Sequence, residues 1–424
     1  MADYASIASP KRLRILALGP QDVFPPVDGG KEGIYGALTA LARLADVSYA
    51  YPATTNASIE GYARIGVIAI PIPHMPQERL ASIIASTLRG LPYKFGKYSA
   101  DEAVQGLNDA LPDTKFDAIL CHHAHTYRLA CRLAALRGWT VPIVVREHNI
   151  EYALVDSFRD SLRGLKRAAA SLFAALTRRE ELHIWREADA VAFLSDQDLR
   201  TAQAACAPTS SSGRFILARE GVPQPARRPV RFPGPKAPLL VLLNPRATQS
   251  VHNLRDFVHR YWIPLRERHK LVDEVLHVTG VTDAQLAPLV DVEPARMRAL
   301  GLRGLGFLPS LAPTLESALA LVSPTFVGGG IRKKVLEAMA HQLPVIATRF
   351  DIECCDYFQP DVNIIPLEGL DDFAETVARL RRDEALWSGL SKRSRDTVEE
   401  FASWDRYAQA MIEVIRDLKR SRHP

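Results

Sequence analysis

The sequence predicts an α/β chain of two similar halves, each built on a parallel sheet. Three observations carry this. Apolar runs of strand length alternate along most of the chain with segments of helical apolar spacing, the pattern of parallel-sheet domains. A stretch at 223–238, PQPARRPVRFPGPKAP, is so dense in proline, glycine and arginine that neither a helix nor a central strand can run through it. At 424 residues the chain is also too long for one ordinary core.

In chain order, LRILAL (13–18) reads as a buried strand and GPQDVFPPVDGG (19–30) as a loop. KEGIYGALTALARLA (31–45) has helical spacing, and DVSYAYP (46–52) is a second strand. FDAILCHH (116–123), VPIVVREHN (141–149) and ADAVAFLS (188–195) are three further strand-and-loop units. Beyond the linker, LLVLLN, EVLHVTG, RGLGFL, LALVSP and PVIAT repeat the pattern. Open parallel sheets bind ligands in loops at the carboxyl ends of their strands. The loops after Leu18, Leu120, Val145, Leu194, Leu243, Leu308 and Val322 are therefore expected to hold the chemistry.

One of these loops breaks a local rule. Gly328, Gly329 and Gly330 follow LALVSP, and IRKKVLEAMAHQ then starts a helix with Arg332, Lys333 and Lys334 in its first turn. Cations there oppose the helix dipole unless an anion sits among them. Glu337 lies one turn further on and, as a carboxylate, suits a vicinal diol such as a ribose. Diphosphate at the glycines and ribose at the acid describe a nucleotide; a plain turn with a Lys333–Glu337 surface pair is the structural alternative. No G-K-[ST] follows and no third glycine completes a dinucleotide fingerprint, which excludes a Walker loop and disfavours a dinucleotide-dependent oxidoreductase.

GGGIRKKVLEAMAHQLPVIAT (328–348) resembles the signature of the GT-B fold glycosyltransferases, closest to the family 4 type (glycosyltransferases group 1). The resemblance spans nearly the whole chain. PPVDGG (25–30) resembles the family's N-terminal glycine loop, REHNIEY (146–152) its histidine loop, ADAVAFLSDQD (188–198) its ADxVxxxS strand and REGVP (219–223) its NGVD turn. GLRGLGFLPSLAPTLESALALVSP (301–324) and FASWDRYAQAMIEVI (401–415) are similar to a central stretch and to the closing helix.

The resemblance implies two facing Rossmann-like domains: 1–222 on the acceptor side, a linker at 223–238, a nucleotide-sugar domain at 239–400, and a helix at 401–424 crossing back to the first. It implies retention of anomeric configuration, a nucleotide-diphosphate sugar as donor substrate rather than a cofactor, and no required metal. Glu337 then matches the ribose acid, Gly330, Arg332 and Lys334 the phosphate positions, Gly29 and Gly30 the first-domain backbone donors, and His148 the histidine at the donor sugar or reacting centre. Two departures stand out. Gly329 replaces the first of the family's paired acids, so the sugar hydroxyls fall to the glycine-loop backbone. Arg246 is present, but Val251 replaces the expected lysine, with His252 and Asn253 the nearest polar neighbours. Arg246 and Asn253 complete the candidate set. A catalytically silent nucleotide-binding relative and a nucleotide-sugar epimerase or phosphorylase are the alternatives.

Other features bound the setting. The 28 basic and 23 acidic residues up to Arg231 account for the whole net charge of +5, which suits a pyrophosphate-bearing acceptor or an anionic phospholipid surface rather than nucleic acid. SFRDSLRGLKRAAASLFAALTRREELHIW (157–185) has a basic amphipathic pattern, readable as a helix on an anionic membrane or as one packed on the sheet. No adequate apolar leader segment starts the chain, so a cytoplasmic protein is expected, at most at the inner membrane face. The acceptor is expected to be a saccharide or lipid-linked saccharide, as in bacterial surface polysaccharide synthesis. Cys121, Cys131, Cys206, Cys354 and Cys355 show no metal spacing and are expected as reduced thiols. His122, His123 and His125 follow a strand without an acidic or cysteine partner near in sequence, which favours acceptor contact or helix-start polarity over zinc. Glu147 beside His148 is a candidate acid–base partner, and Trp404 a packing residue for the last helix.

Overall fold

The computed structural model describes residues 12–26, 29–53, 59–73, 75, 80–159, 163–206, 214–269, 271, 273–326 and 332–422. Its contacts divide the chain into two compact units. The first comprises residues 1–194, 198–220 and 404–424, and the second residues 195–197 and 221–403.

The first unit holds a seven-stranded, wholly parallel sheet. Its strands are β1 (Arg14–Leu18), β2 (Asp46–Pro52), β3 (Val67–Ile72), β4 (Ala118–His122), β5 (Ile143–Glu147), β6 (Ala190–Phe193) and β7 (Arg214–Leu217), in the order β3-β2-β1-β4-β5-β6-β7. The second unit holds six parallel strands: β8 (Leu239–Leu242), β9 (Leu276–Thr279), β10 (Leu302–Gly304), β11 (Ala320–Ser323), β12 (Val345–Thr348) and β13 (Ile365–Leu367), in the order β10-β9-β8-β11-β12-β13. Both orders reverse beside the first strand, at β1/β4 and β8/β11, which is where open sheets leave a crevice for ligands.

Helices cover both faces of each sheet, so the central strands are apolar throughout instead of alternating. β6 (AVAF), β8 (LLVL) and β12 (VIAT) are buried at every position. The three strands that apolar runs do not announce, β3, β7 and β13, are all edges. Pro71 in β3 and Pro366 in β13 lack the N–H a central ladder needs, and an edge is where such a residue is tolerated. RGLGFL supplies only Arg303 and Gly304 to β10, which begins at Leu302.

The last helix, Trp404–Arg422, belongs to the first unit, as the resemblance implies. Tyr407, Met411, Ile412 and Ile415 pack with Ile34, Leu38 and Leu41 of helix Gly29–Leu44 on one face of the first sheet. Each such apolar side chain contributes about 1.5–3 kcal/mol when fully buried. Polar ties fix its ends: Arg43 to Asp405 at 2.8 Å and Lys419 to Asp117 at 2.7 Å. Trp404 is a packing residue, seated against Gly36, where a Cβ would lie 2.2 Å from the indole Cε2. Glycine inside a helix ordinarily gains about 0.5–1 kcal/mol on replacement by alanine. Here Gly36→Ala is expected to lose about 1–3 kcal/mol by overpacking. Urea denaturation checks this; a stabilised variant would show that the indole yields freely.

The expected basic helix is two helices, Glu151–Arg159 and Gly164–Glu187, the second opening on Gly164 at φ 58°. No helix among the described residues is long and apolar enough to cross a membrane.

Candidate active site

In the first unit the candidate residues collect at the carboxyl ends of β1, β4 and β5. Gly29 and Gly30 open helix Gly29–Leu44 and are exposed. The first turn of a helix leaves N–H groups outside the helix's own ladder, the donors an anion needs. His148 follows β5 and is buried, its ring stacked on His123 with centroids 4.0 Å apart and planes 10° from parallel.

Arg146 decides what His148 can do. Its side chain is fully buried, with one Nη against the His148 ring and the other 3.5 Å from Glu220 Oε1. Its guanidinium lies over the Tyr407 and Trp404 rings, at 5.1 and 5.9 Å. A guanidinium only donates, so the His148 nitrogen facing it, Nε2, must accept, and the ring proton sits on Nδ1. His148 is thereby prepared to donate a hydrogen bond rather than to take a proton. Sequence reasoning passed over Arg146. Its partner Glu220 lies 74 residues away, and no periodicity links the two.

Glu147 is not the solvent-facing partner of His148 that its place suggests. It is buried, and its Oε1 accepts from the Trp185 indole at 2.8 Å. Burial, against which that bond works, pushes its carboxyl up to about 8. The buried Glu181 nearby is raised as well, by burial and then by Glu147, while its oxygens accept from the N–H groups of Glu151 and Tyr152, both at 2.8 Å. The linkage has a definite sign. Between the unfolded value near 4.5 and about 8, the native state holds a proton that the unfolded chain has lost, so stability falls as pH rises. Glu147→Gln keeps the acceptor and removes the titration. It should gain on the wild type by up to about 1.4 kcal/mol per pH unit across that window. Denaturation midpoints from pH 5 to 8.5 test this, and a constant difference would contradict it.

His122 ends β4 and is fully buried; neither of its ring nitrogens has a hydrogen-bond partner among the described residues. Burial and then the Arg146 charge hold its imidazole well below the ordinary range. His123 takes φ 74°, unusual for a non-glycine residue, and its N–H donates to the Arg146 carbonyl at 3.0 Å. Glu151 approaches His123 and His125, supplying the acidic partner that appeared missing in sequence.

In the second unit, Gly329 and Gly330 lie outside the described residues. The elements on either side of them are clear. Asn253, buried in helix Thr248–Phe257, accepts from the Phe326 N–H at 3.1 Å and so anchors the chain just before the glycines. Arg332 follows them, N-terminal to helix Lys333–Ala340. Its Nε donates to the fully buried Asp351, which also takes the Ser323 hydroxyl, and its guanidinium lies 5.0 Å from the Phe350 ring. Asp351 was missed, standing 19 residues from its arginine.

Lys334 and Glu337 are half-buried on helix Lys333–Ala340, a turn apart. Burial lowers the Lys334 ammonium below its ordinary range, Arg332 adding to this and Asp351 opposing it. Arg246 is exposed in the loop after β8, its N–H donating to the Asn244 side chain at 3.1 Å. Cys354 and Cys355 are buried free thiols, with Cys354 Sγ donating to the Asp351 carbonyl.

Residues 244–383 match the family described as Glycosyl transferases group 1. No curated protein matches the chain in sequence. Among solved structures, sucrose-phosphate synthase from Thermosynechococcus elongatus is similar over 97% of this chain and 100% of its own, at 16% identity and TM-score 0.67. Anabaena HepE, in complex with UDP and glucose, is similar over 96% and 100%, at 12% identity and TM-score 0.61. A glycotransferase of kitacinnamycin follows over 96% and 100%, at 15% identity and TM-score 0.54. The chain therefore has the GT-B fold, and its residues 244–383 are similar to the Glycosyl transferases group 1 family.

Proposed function

We propose that the protein transfers a glycosyl group from a nucleoside-diphosphate sugar to an acceptor hydroxyl, with retention at the anomeric carbon. The observation that carries this is Glu337, half-buried on the helix that follows the glycine segment of a group 1 domain. Glu337 accepts from the ribose diol. Lys334, beside an Arg332 steadied by Asp351, supplies positive charge to the departing diphosphate together with the helix N–H groups, the electrostatic contribution that lowers such a barrier most. Gly329 and Gly330 meet the sugar through backbone, and Gly29 and Gly30 add donors from the first unit. His148 donates to the transferring sugar. Arg246 is a weaker candidate for the phosphates, and Asn253 acts by holding Phe326.

The likeness to HepE, which has been seen with UDP-glucose, makes UDP-sugars the first donors to try. The acceptor in this reading is a saccharide or lipid-linked saccharide of a bacterial surface polymer or glycolipid. Exposed Lys166, Arg167 and Leu172 on helix Gly164–Glu187 support a peripheral contact with anionic bilayers. Sedimentation with phosphatidylglycerol vesicles tests that contact, and equal recovery with neutral vesicles would remove it.

The activity is tested by incubating the protein with UDP-, GDP- and ADP-sugars and a panel of saccharide acceptors, following anomeric protons by NMR. An α-donor should give an α-linked product. A β-product would overturn retention. Donor binding without any consumption would favour the catalytically silent alternative.

A further inference from the structure

The chain leaving β4 makes an abrupt turn at His123 and enters the short 3-10 segment Ala124–Thr126. This brings the His123 and His125 rings face to face, with centroids 4.9 Å apart and planes 19° from parallel. The next strand, β5, delivers Glu151 at the start of helix Glu151–Arg159, where it is buried beside them. One nitrogen of each imidazole and one carboxylate oxygen of Glu151 all lie within 4.8 Å of one another.

The two imidazoles leave polar capacity unused. Nδ1 of His123 and Nδ1 of His125 are buried without a hydrogen-bond partner among the described residues. Glu151 Oε1 is 3.8 Å from His123 Nδ1, beyond hydrogen-bond reach. Buried polar atoms are rarely left this way, and each unsatisfied one costs about 1–3 kcal/mol. The carboxylate is meanwhile held from outside the cluster. Its Oε2 takes Lys94 Nζ at 3.3 Å, and the Glu151 N–H is anchored by Glu181 at 2.8 Å. A metal-binding carboxylate is held in the same manner by its outer partners.

We infer that His123, His125 and Glu151 form a binding site for a divalent metal ion of the zinc type. Two imidazoles and one carboxylate are an established donor set for that ion, and three protein ligands leave a fourth position open for water or an acceptor oxygen. An anion is disfavoured, because it would have to lie against the Glu151 carboxylate. Tetrahedral zinc places its donors about 3.3–3.5 Å apart at bond lengths near 2.0–2.2 Å, so the side chains close by about 1 Å, within the reach of small χ rotations. His148 is stacked on His123, so occupancy of the site fixes the ring that carries the His148 platform.

The test uses the full chain stripped with a chelator and then titrated with zinc chloride by calorimetry, without donor or acceptor, so its outcome is independent of glycosyl transfer. One equivalent should bind, and the same site should take cobalt(II) with the intense visible absorption of a four-coordinate ion. His125→Ala and Glu151→Gln should each weaken binding at least tenfold to a hundredfold. His252→Ala, on a separate helix, should leave it unchanged. Melting curves of the metal-free proteins separate folding from ligation: each variant should melt near the metal-free wild type but lack its zinc-induced rise. Absence of stoichiometric binding by the wild type overturns the site. So does binding that survives both ligand substitutions.

Discussion

Arg146→Ala is expected to lower the stability of the protein by about 3–5 kcal/mol, the range for breaking a buried ion pair from one side. The guanidinium is wholly buried and meets four groups at once: His148, Glu220, Tyr407 and Trp404. Removing it takes from the buried Glu220 carboxylate the cation that faces it, and a flat cation from under two aromatic rings of the last helix. Its position also orients His148, so residual activity at a permissive temperature should fall as well. The double variant Arg146→Met with Glu220→Gln should regain most of the stability, because both charges of the buried pair are then removed together. Denaturant midpoints of the three proteins decide the matter. A single variant as stable as the wild type would mean that Arg146 is only a filler.

The second large effect concerns Glu337→Ala, which is expected to weaken nucleoside-diphosphate binding about 100-fold. Two charge-assisted hydrogen bonds to a ribose diol are worth about 3 kcal/mol together, and each 1.4 kcal/mol is a factor of ten. Glu337→Gln keeps one oxygen acceptor and should lose about tenfold. The fold should not suffer, since a half-buried helix position with an i,i+4 lysine contributes only about 0.2–0.5 kcal/mol through that pair. Titration calorimetry with the preferred diphosphate measures both variants. Unchanged affinity in the alanine variant would remove Glu337 from the site.

Strands in the middle of each sheet were legible because burial on both faces demands continuous apolar runs, as in β6 and β8. Edges were not, since β3 and β13 each contain a proline that reads as an interruption. The same contrast holds for the site. Lys334 and Glu337 lie on one helix, where spacing alone relates them, and the glycine segment announces itself by composition. The Arg332–Asp351 pair and the meeting of Glu151 with His123 and His125 are made by neighbouring strands of a parallel sheet, and the Arg146–Glu220 pair by strands two apart. Parallel neighbours are separated by a crossover of a dozen or more residues, so no local pattern records which of their loops touch. Asn253 was selected as a ligand contact; its side-chain oxygen also accepts from the Phe326 N–H, a tie 73 residues apart that only the structure reveals.

The central claim is that this GT-B chain holds a nucleotide at the segment running from the glycines to Glu337. The most direct measurement is the thermal stabilisation of the purified protein by a panel of nucleoside diphosphates and their sugars. At 100 times its dissociation constant the right ligand should add about 2.7 kcal/mol, seen as a clear rise in the melting temperature. The account predicts that one base family produces this rise in the wild type and that Glu337→Ala, binding about 100-fold more weakly, keeps only about 0.4 kcal/mol of it at the same concentration. No rise with any nucleotide, or an equal rise in both proteins, would contradict it.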